Sequence, residues 1–149
     1  MKKCLLSVML PLLMSSSLAI ADGQQDEQYN KLKPAASDIY KRSVALAESA
    51  DDSYQSFKYA DDKTVWLKAR DERNSLPKEA KKRLGDVLSS PFRSCIHFSI
   101  YSGELWGNAV STGKIDVSTF NTYLKTKKDC EHQLHNPPED TSNLRAVEL

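Results

Sequence analysis

Along most of this chain apolar side chains recur at steps of three and four, and nowhere do they alternate with polar ones long enough to make a strand. The clearest case begins at Phe92, where Cys95, Ile96, Ser99, Gly103, Trp106, Ala109 and Val110 share one helical face. Gly113 follows, at a place where a helix C-cap wants a residue that tolerates a positive φ. Asp116 then supplies an N-cap for a second helix, with Phe120, Tyr123, Leu124, Cys130 and Leu134 as its apolar stripe. Cys95 and Cys130 stand at nearly equal distances on either side of Gly113. In an antiparallel helical hairpin such positions face each other, so the two thiols are predicted to meet and bond at the far end from the turn.

The upstream chain keeps the same period. Between Ala35 and Ala60, Ile39, Ser43, Leu46, Ala50, Tyr54 and Phe57 step along one face, in one helix or in two that break near Ala50-Asp51-Asp52. Before them, Asp22 to Lys33 is polar, with Tyr29 and Leu32 its large apolar residues, and Pro34 reads as a boundary. Asp61-Asp62 reads as the start of a helix that buries Val65, Trp66 and Ala69. Ser75-Leu76-Pro77 reads as the opening of another, burying Ala80, Leu84, Val87 and Leu88 and turning Lys78, Lys81 and Lys82 outward. Pro137-Pro138 closes the hairpin, and 137–149 is expected to be a mobile tail with little to bury. The predicted fold is all-α, a small bundle of four to six helices with a disulfide-stapled C-terminal αα-hairpin.

The first residues change the picture of where this bundle works. Lys2-Lys3, an apolar run from Leu5 and Ala19-Ile20-Ala21 make 1–21 a cleaved signal peptide. The run is too short and interrupted to span a membrane, which takes about 20 apolar residues. Cys4 precedes the apolar run and leaves with the signal, so it is not a lipid attachment site. Residues 22–136 are expected to be a single helical domain, near charge balance, which gives nucleic acid no basic surface to bind. Two remaining cysteines fit an oxidising compartment, and the bacterial look of the signal makes the periplasm the expected location.

Candidate chemistry is sparse. His132 and His135 share one helical face at a metal-compatible spacing, but they sit in a last helical turn, where partly positive side chains suit the helix dipole. With two ligands visible and Cys130 spent in the disulfide, no metal is expected. Cys95 and His97 point about 200° apart on a helix and cannot form a dyad. The doublets Asp51-Asp52, Asp61-Asp62 and Asp71-Glu72 read as helix starts and solvated faces rather than as the facing carboxylates of a glycosidase. The basic run Lys78 to Arg83 reads as the wet face of its helix. No G-x-S-x-G, H-E-x-x-H, C-x-x-C or glycine-rich phosphate loop is present, so neither catalysis nor a cofactor is predicted.

What is left over from packing is a segment rich in Tyr, Trp and Arg between Tyr54 and Arg73, the residue types that dominate protein interfaces. Within it, TVWLKARDE (Thr64 to Glu72) resembles the tryptophan-to-Arg-Asp stretch of exported bacterial lysozyme-inhibitor-like domains. The cysteine that usually follows that stretch is missing here, where Arg73 and Asn74 stand. In general plan the chain also resembles periplasmic immunity proteins that neutralise cell-wall-degrading effectors. The expected role is therefore a non-catalytic inhibitor or immunity protein that binds a toxin or hydrolase; the alternative is an accessory factor of an envelope secretion or pilus system. Arg70, Arg73 and Tyr59 are the expected partner-binding residues, because a guanidinium fork suits a carboxylate-lined cleft.

Overall fold

The computed structural model describes residues 18–138, with side chains from Gln25 onward. The expected signal peptide lies outside the described residues except for the backbone of its last few, and so does the tail from Glu139. Five helices make up the described chain: α1 Leu18–Glu48, α2 Ala50–Lys58, α3 Thr64–Leu84, α4 Arg93–Thr112 and α5 Val117–His135. The class is all-α, as the periodicity predicts, and no strand occurs among the described residues.

The hairpin forms as its pattern dictates. Gly113 takes φ +71° and its N–H donates to the Ala109 carbonyl, which ends α4. The Asp116 carboxylate accepts the Thr119 N–H at 2.9 Å, which starts α5. Cys95 and Cys130 are bonded, with their Cα atoms 4.6 Å apart, and both are fully buried. Around them lies the densest part of the core. Tyr29 of α1 stacks on Phe92 at 4.9 Å, and its hydroxyl donates to the Gln133 and Leu134 carbonyls, so α1 caps the end of α5. Phe98 sits between Tyr40 and Tyr123, with ring centroids 5.4 Å from each.

Small residues let the helices come close. Ser43, Ser99 and Ser102 are fully buried, and their hydroxyls return to carbonyls of their own helix, at Ile39, Ile96 and Phe98. Ser53 accepts the Trp106 indole N–H at 3.0 Å. Between α1 and α3 an ion cluster replaces apolar contact: Arg42 reaches Glu72 and Glu79, and Arg83 reaches Asp38 and Glu79. Hydrogen bonds first from Arg42 and then from Arg83 hold the Glu79 carboxyl below its ordinary range.

Three boundaries differ from the sequence reading. Pro34 lies inside α1, and Asp22 to Lys33 belongs to the same helix. Pro34 is exposed, so the carbonyl it leaves without an N–H partner faces the solvent side, while Tyr29, Ala36 and Ile39 anchor the helix on the buried side. Pro77 likewise lies inside α3, held on both sides by buried Leu76 and Ala80. That helix ends instead at Gly85, with φ +91°, so Val87 and Leu88 fall in a loop and Leu88 is 91% exposed rather than buried. Of the two readings left open for Ala35 to Ala60, the two-helix one is found, with the break at Ser49 between α1 and α2. Among the described residues no helix is long and apolar enough to cross a membrane.

Candidate functional site

The second half of α4 faces the first half of α3, and α4 carries glycine at 103 and 107, one turn apart on the face where the Arg73 side chain lies. A Cβ on Gly103 would sit 3.2 Å from Arg73 Cγ, and one on Gly107 would sit 3.1 Å from the Arg73 guanidinium carbon. Arg73 lies in the slot this leaves. Its Nε–H donates to the Gly103 carbonyl at 3.1 Å, and its guanidinium rests 6.0 Å above the Trp106 ring.

One helical turn earlier, Arg70 covers Trp66 at 5.0 Å, and Phe57 at the end of α2 packs against the same indole at 5.1 Å. The two Arg–Trp pairs wall an open groove of about 640 Å³ between α2, α3, α4 and the first turn of α5, where Thr119 lines it. Its lining holds a single carboxylate, Glu104, and no histidine, cysteine or lysine. That set can grip an anion and an apolar surface together; it holds no pair of groups to pass a proton between.

The two arginines share the groove but differ in their ties. Arg70 gives Nε–H and an Nη2–H to Asp71, a neighbouring surface pair worth under ~1 kcal/mol. Arg73 has no carboxylate partner among the described residues. Glu72, the nearest in sequence, is drawn across to Arg42 of α1 at 2.7 Å instead. Tyr59, the third expected contact residue, lies outside the groove, 69% exposed and edge-on to Tyr54. Phe57 takes the aromatic place in its stead. Val65, expected on the buried side, is 49% exposed, and Trp66 is half-buried under Arg70.

Trp106, Glu104 and the glycine slot were not among the expected site residues. The glycine pair GELWG, with glycines four apart inside an otherwise good helix, is the sequence signal that marks close approach of a neighbouring helix. A second, more apolar groove of about 470 Å³ lies between α1 and α3 beside Val65 and Ala69; of its three charged side chains, Arg42 and Glu72 are joined to each other and Lys68 stands apart. His132 and His135 are exposed in the last turn of α5, and among the described residues no cluster of three or more metal-ligating side chains occurs. No protein-family model, curated protein or solved structure matches the chain.

Proposed function

We propose that this chain is an exported, non-catalytic protein-binding protein, an inhibitor or immunity protein for a periplasm-acting toxin or cell-wall hydrolase, and that it engages its partner through the α3–α4 groove. The observation that carries the reading is the convergence of Arg70 and Arg73 on one aromatic-walled groove with a single carboxylate in its lining. Arginine and aromatic side chains held in fixed positions are the anchors from which protein interfaces draw most of their energy. Both guanidiniums rest on tryptophans, so little side-chain freedom remains to be lost on binding. The carboxylates lining a glycan-cleaving cleft would be the complementary groups.

The test is an assay of peptidoglycan lysis by a panel of purified hydrolases, with the protein added in excess. Inhibition that disappears in Arg70→Ala/Arg73→Ala, at an unchanged melting temperature, supports the reading; a protein that protects against none of them sinks it. One observation favours the accessory-factor alternative. Val117, Phe120 and Leu124 form an exposed apolar face along α5, contrary to the burial expected for the last two. A partner lost on Phe120→Glu but kept by the arginine double variant would move the assignment there.

A further inference from the structure

We infer that Arg73, not Arg70, is the anion-receiving group of this groove, and that it takes a carboxylate carried beside an apolar group, as an acidic side chain of a partner protein would be. This rests on the reading of the groove as the binding site. A guanidinium offers a carboxylate two forked edges, one using Nε and one Nη, the other using both Nη atoms. Arg70 gives Nε–H and Nη2–H to the Asp71 carboxylate, which neutralises its charge, whereas the one acceptor Arg73 meets is an uncharged carbonyl. Arg73 has given Nε to the Gly103 carbonyl, and its Nη1 and Nη2 find no acceptor among the described residues. The edge left over is the end-on fork.

Its position is fixed three ways: by the Gly103 bond, by the Trp106 face, and by Gly107, where any Cβ would press on the guanidinium. Lysine could donate to the same carbonyl or lie on the same ring, but it has no planar fork to offer a carboxylate. In the same groove stand Phe57, 43% exposed, and half-buried Trp66, which give an apolar group somewhere to rest. Glu104 repels any anion in proportion to its charge, as Arg73 attracts it, so the preference for a carboxylate beside a ring over phosphate comes from this apolar wall.

The test needs no identified partner. The protein, purified in its exported form and ¹⁵N-labelled, is titrated with benzoate at constant ionic strength, while the Arg73 Nε–H and the two tryptophan indole N–H signals are followed. Inorganic phosphate and benzyl alcohol serve as the anion without a ring and the ring without an anion. Benzoate is expected to shift the Arg73 and Trp66 signals saturably, and more strongly than either control. Arg73→Lys is expected to weaken it at least about tenfold, as loss of a charge-assisted fork should. Arg70→Ala should change it less than about threefold. Gly107→Ala should weaken it as Arg73→Lys does; since Arg73 is on the surface, the lysine variant keeps the test valid even if the glycine variant folds poorly. Equal binding of phosphate or benzyl alcohol, retention in Arg73→Lys, loss in Arg70→Ala, or no saturable shift overturns the inference. Benzoate binding without any hydrolase inhibition leaves this site standing and removes the inhibitor reading; inhibition that depends on the arginines with benzoate silent does the reverse.

Discussion

The two ends of the bundle are built to different rules. At the end remote from the α4–α5 turn, Phe92, Phe98, Cys95 and Cys130 are fully buried, Tyr29 caps the close of α5, and a covalent bond joins the last two helices. Leu88, in the loop before α4, is the exposed exception at that end; at the turn end several large side chains are left in solvent: Phe57 at 43% exposure, Tyr59 at 69% and Val117 at 75%. Tyr54, packed against Gly113, links α2 to that turn and so places these residues at one end. On the proposed reading of the groove, stability is kept at one end and recognition at the other. A bundle closed by a staple and a dense aromatic core at one end can leave apolar and cationic side chains uncommitted at the other.

The sharpest way to break that comparison is to truncate one phenylalanine at each end. Phe98→Ala removes a buried ring from contact with Tyr40 and Tyr123 and is expected to cost about 3–5 kcal/mol in urea unfolding. Phe57→Ala, whose ring is partly in solvent against Trp66, is expected to cost about 1 kcal/mol while weakening benzoate or partner binding. Similar losses from the two would mean that the turn end is as much a part of the stabilising core as the stapled end.

Removing the staple comes next. Cys95 and Cys130 are 35 residues apart, and opening a loop of that length should lower stability by about 4 kcal/mol in the chain-entropy picture. Cys95→Ala/Cys130→Ala should therefore shift the urea midpoint strongly. Under conditions where the variant is still folded, the groove should bind benzoate as before, because Arg73 is held by Gly103 and Trp106 rather than by the disulfide. Loss of binding by a folded variant would show that the ends are coupled.

A smaller effect separates strain from contact at the two positive-φ glycines. Gly113→Ala is expected to cost about 1–2 kcal/mol, from a left-handed backbone and a Cβ that would lie 2.8 Å from the Tyr54 hydroxyl. At Gly85 the space is open, but φ +91° with ψ −164° is a backbone conformation essentially confined to glycine, so alanine there should cost about 1–3 kcal/mol from backbone strain alone. Urea curves on both variants check the split; a Gly113→Ala loss of only about 1 kcal/mol, what a left-handed backbone alone accounts for, would show that Tyr54 simply moves aside.

How far the chain could be read in advance follows the same division. The hairpin was legible because its turn glycine, its capping aspartate and its cysteine pair each point to one geometry. Pro34 and Pro77 misled because local preference opposes a proline inside a helix, and it loses here to burial on either side, by Tyr29 and Ala36 in one case and by Leu76 and Ala80 in the other. Leu88 misled because helical period was carried past Gly85, which ends the helix. Periodicity also placed Phe120 and Leu124 in a buried stripe, yet period gives only a shared face and cannot tell whether another helix covers it. In the groove, Arg70 and Arg73 were legible as a pair one turn apart. Their inequality was not, since it depends on Glu72 turning to Arg42 and on Gly103 offering a carbonyl, both contacts between distant parts of the chain.

The last and smallest effect is local: acid should reveal it at the two helix starts of the turn end, and separately in the Glu79 cluster between α1 and α3. Asp116 at the start of α5 is held below its ordinary value of 3.8 by hydrogen bonds first from the Thr119 side chain and then from the Thr119 backbone. Asp62 at the start of α3 is lowered from 3.8 in the same way by Thr64. A carboxyl whose folded value is depressed stabilises its helix start above the ordinary value and loses that contribution as pH falls through the folded value. Both helix starts should thus begin to fray below about pH 3.8. At the stapled end, Tyr29 fastens α5 by donating its hydroxyl to backbone carbonyls, with no carboxylate in the contact. Amide exchange between about pH 5 and pH 3, corrected for intrinsic rates, should show residues 117–120 and 64–67 losing protection while residues 95–99 and 130–134 keep theirs. Asp116→Asn, which keeps a capping oxygen without a charge, should remove the pH dependence at α5 only. Simultaneous loss at both ends would mean that acid unfolds the bundle as one unit and that its two ends are not separable.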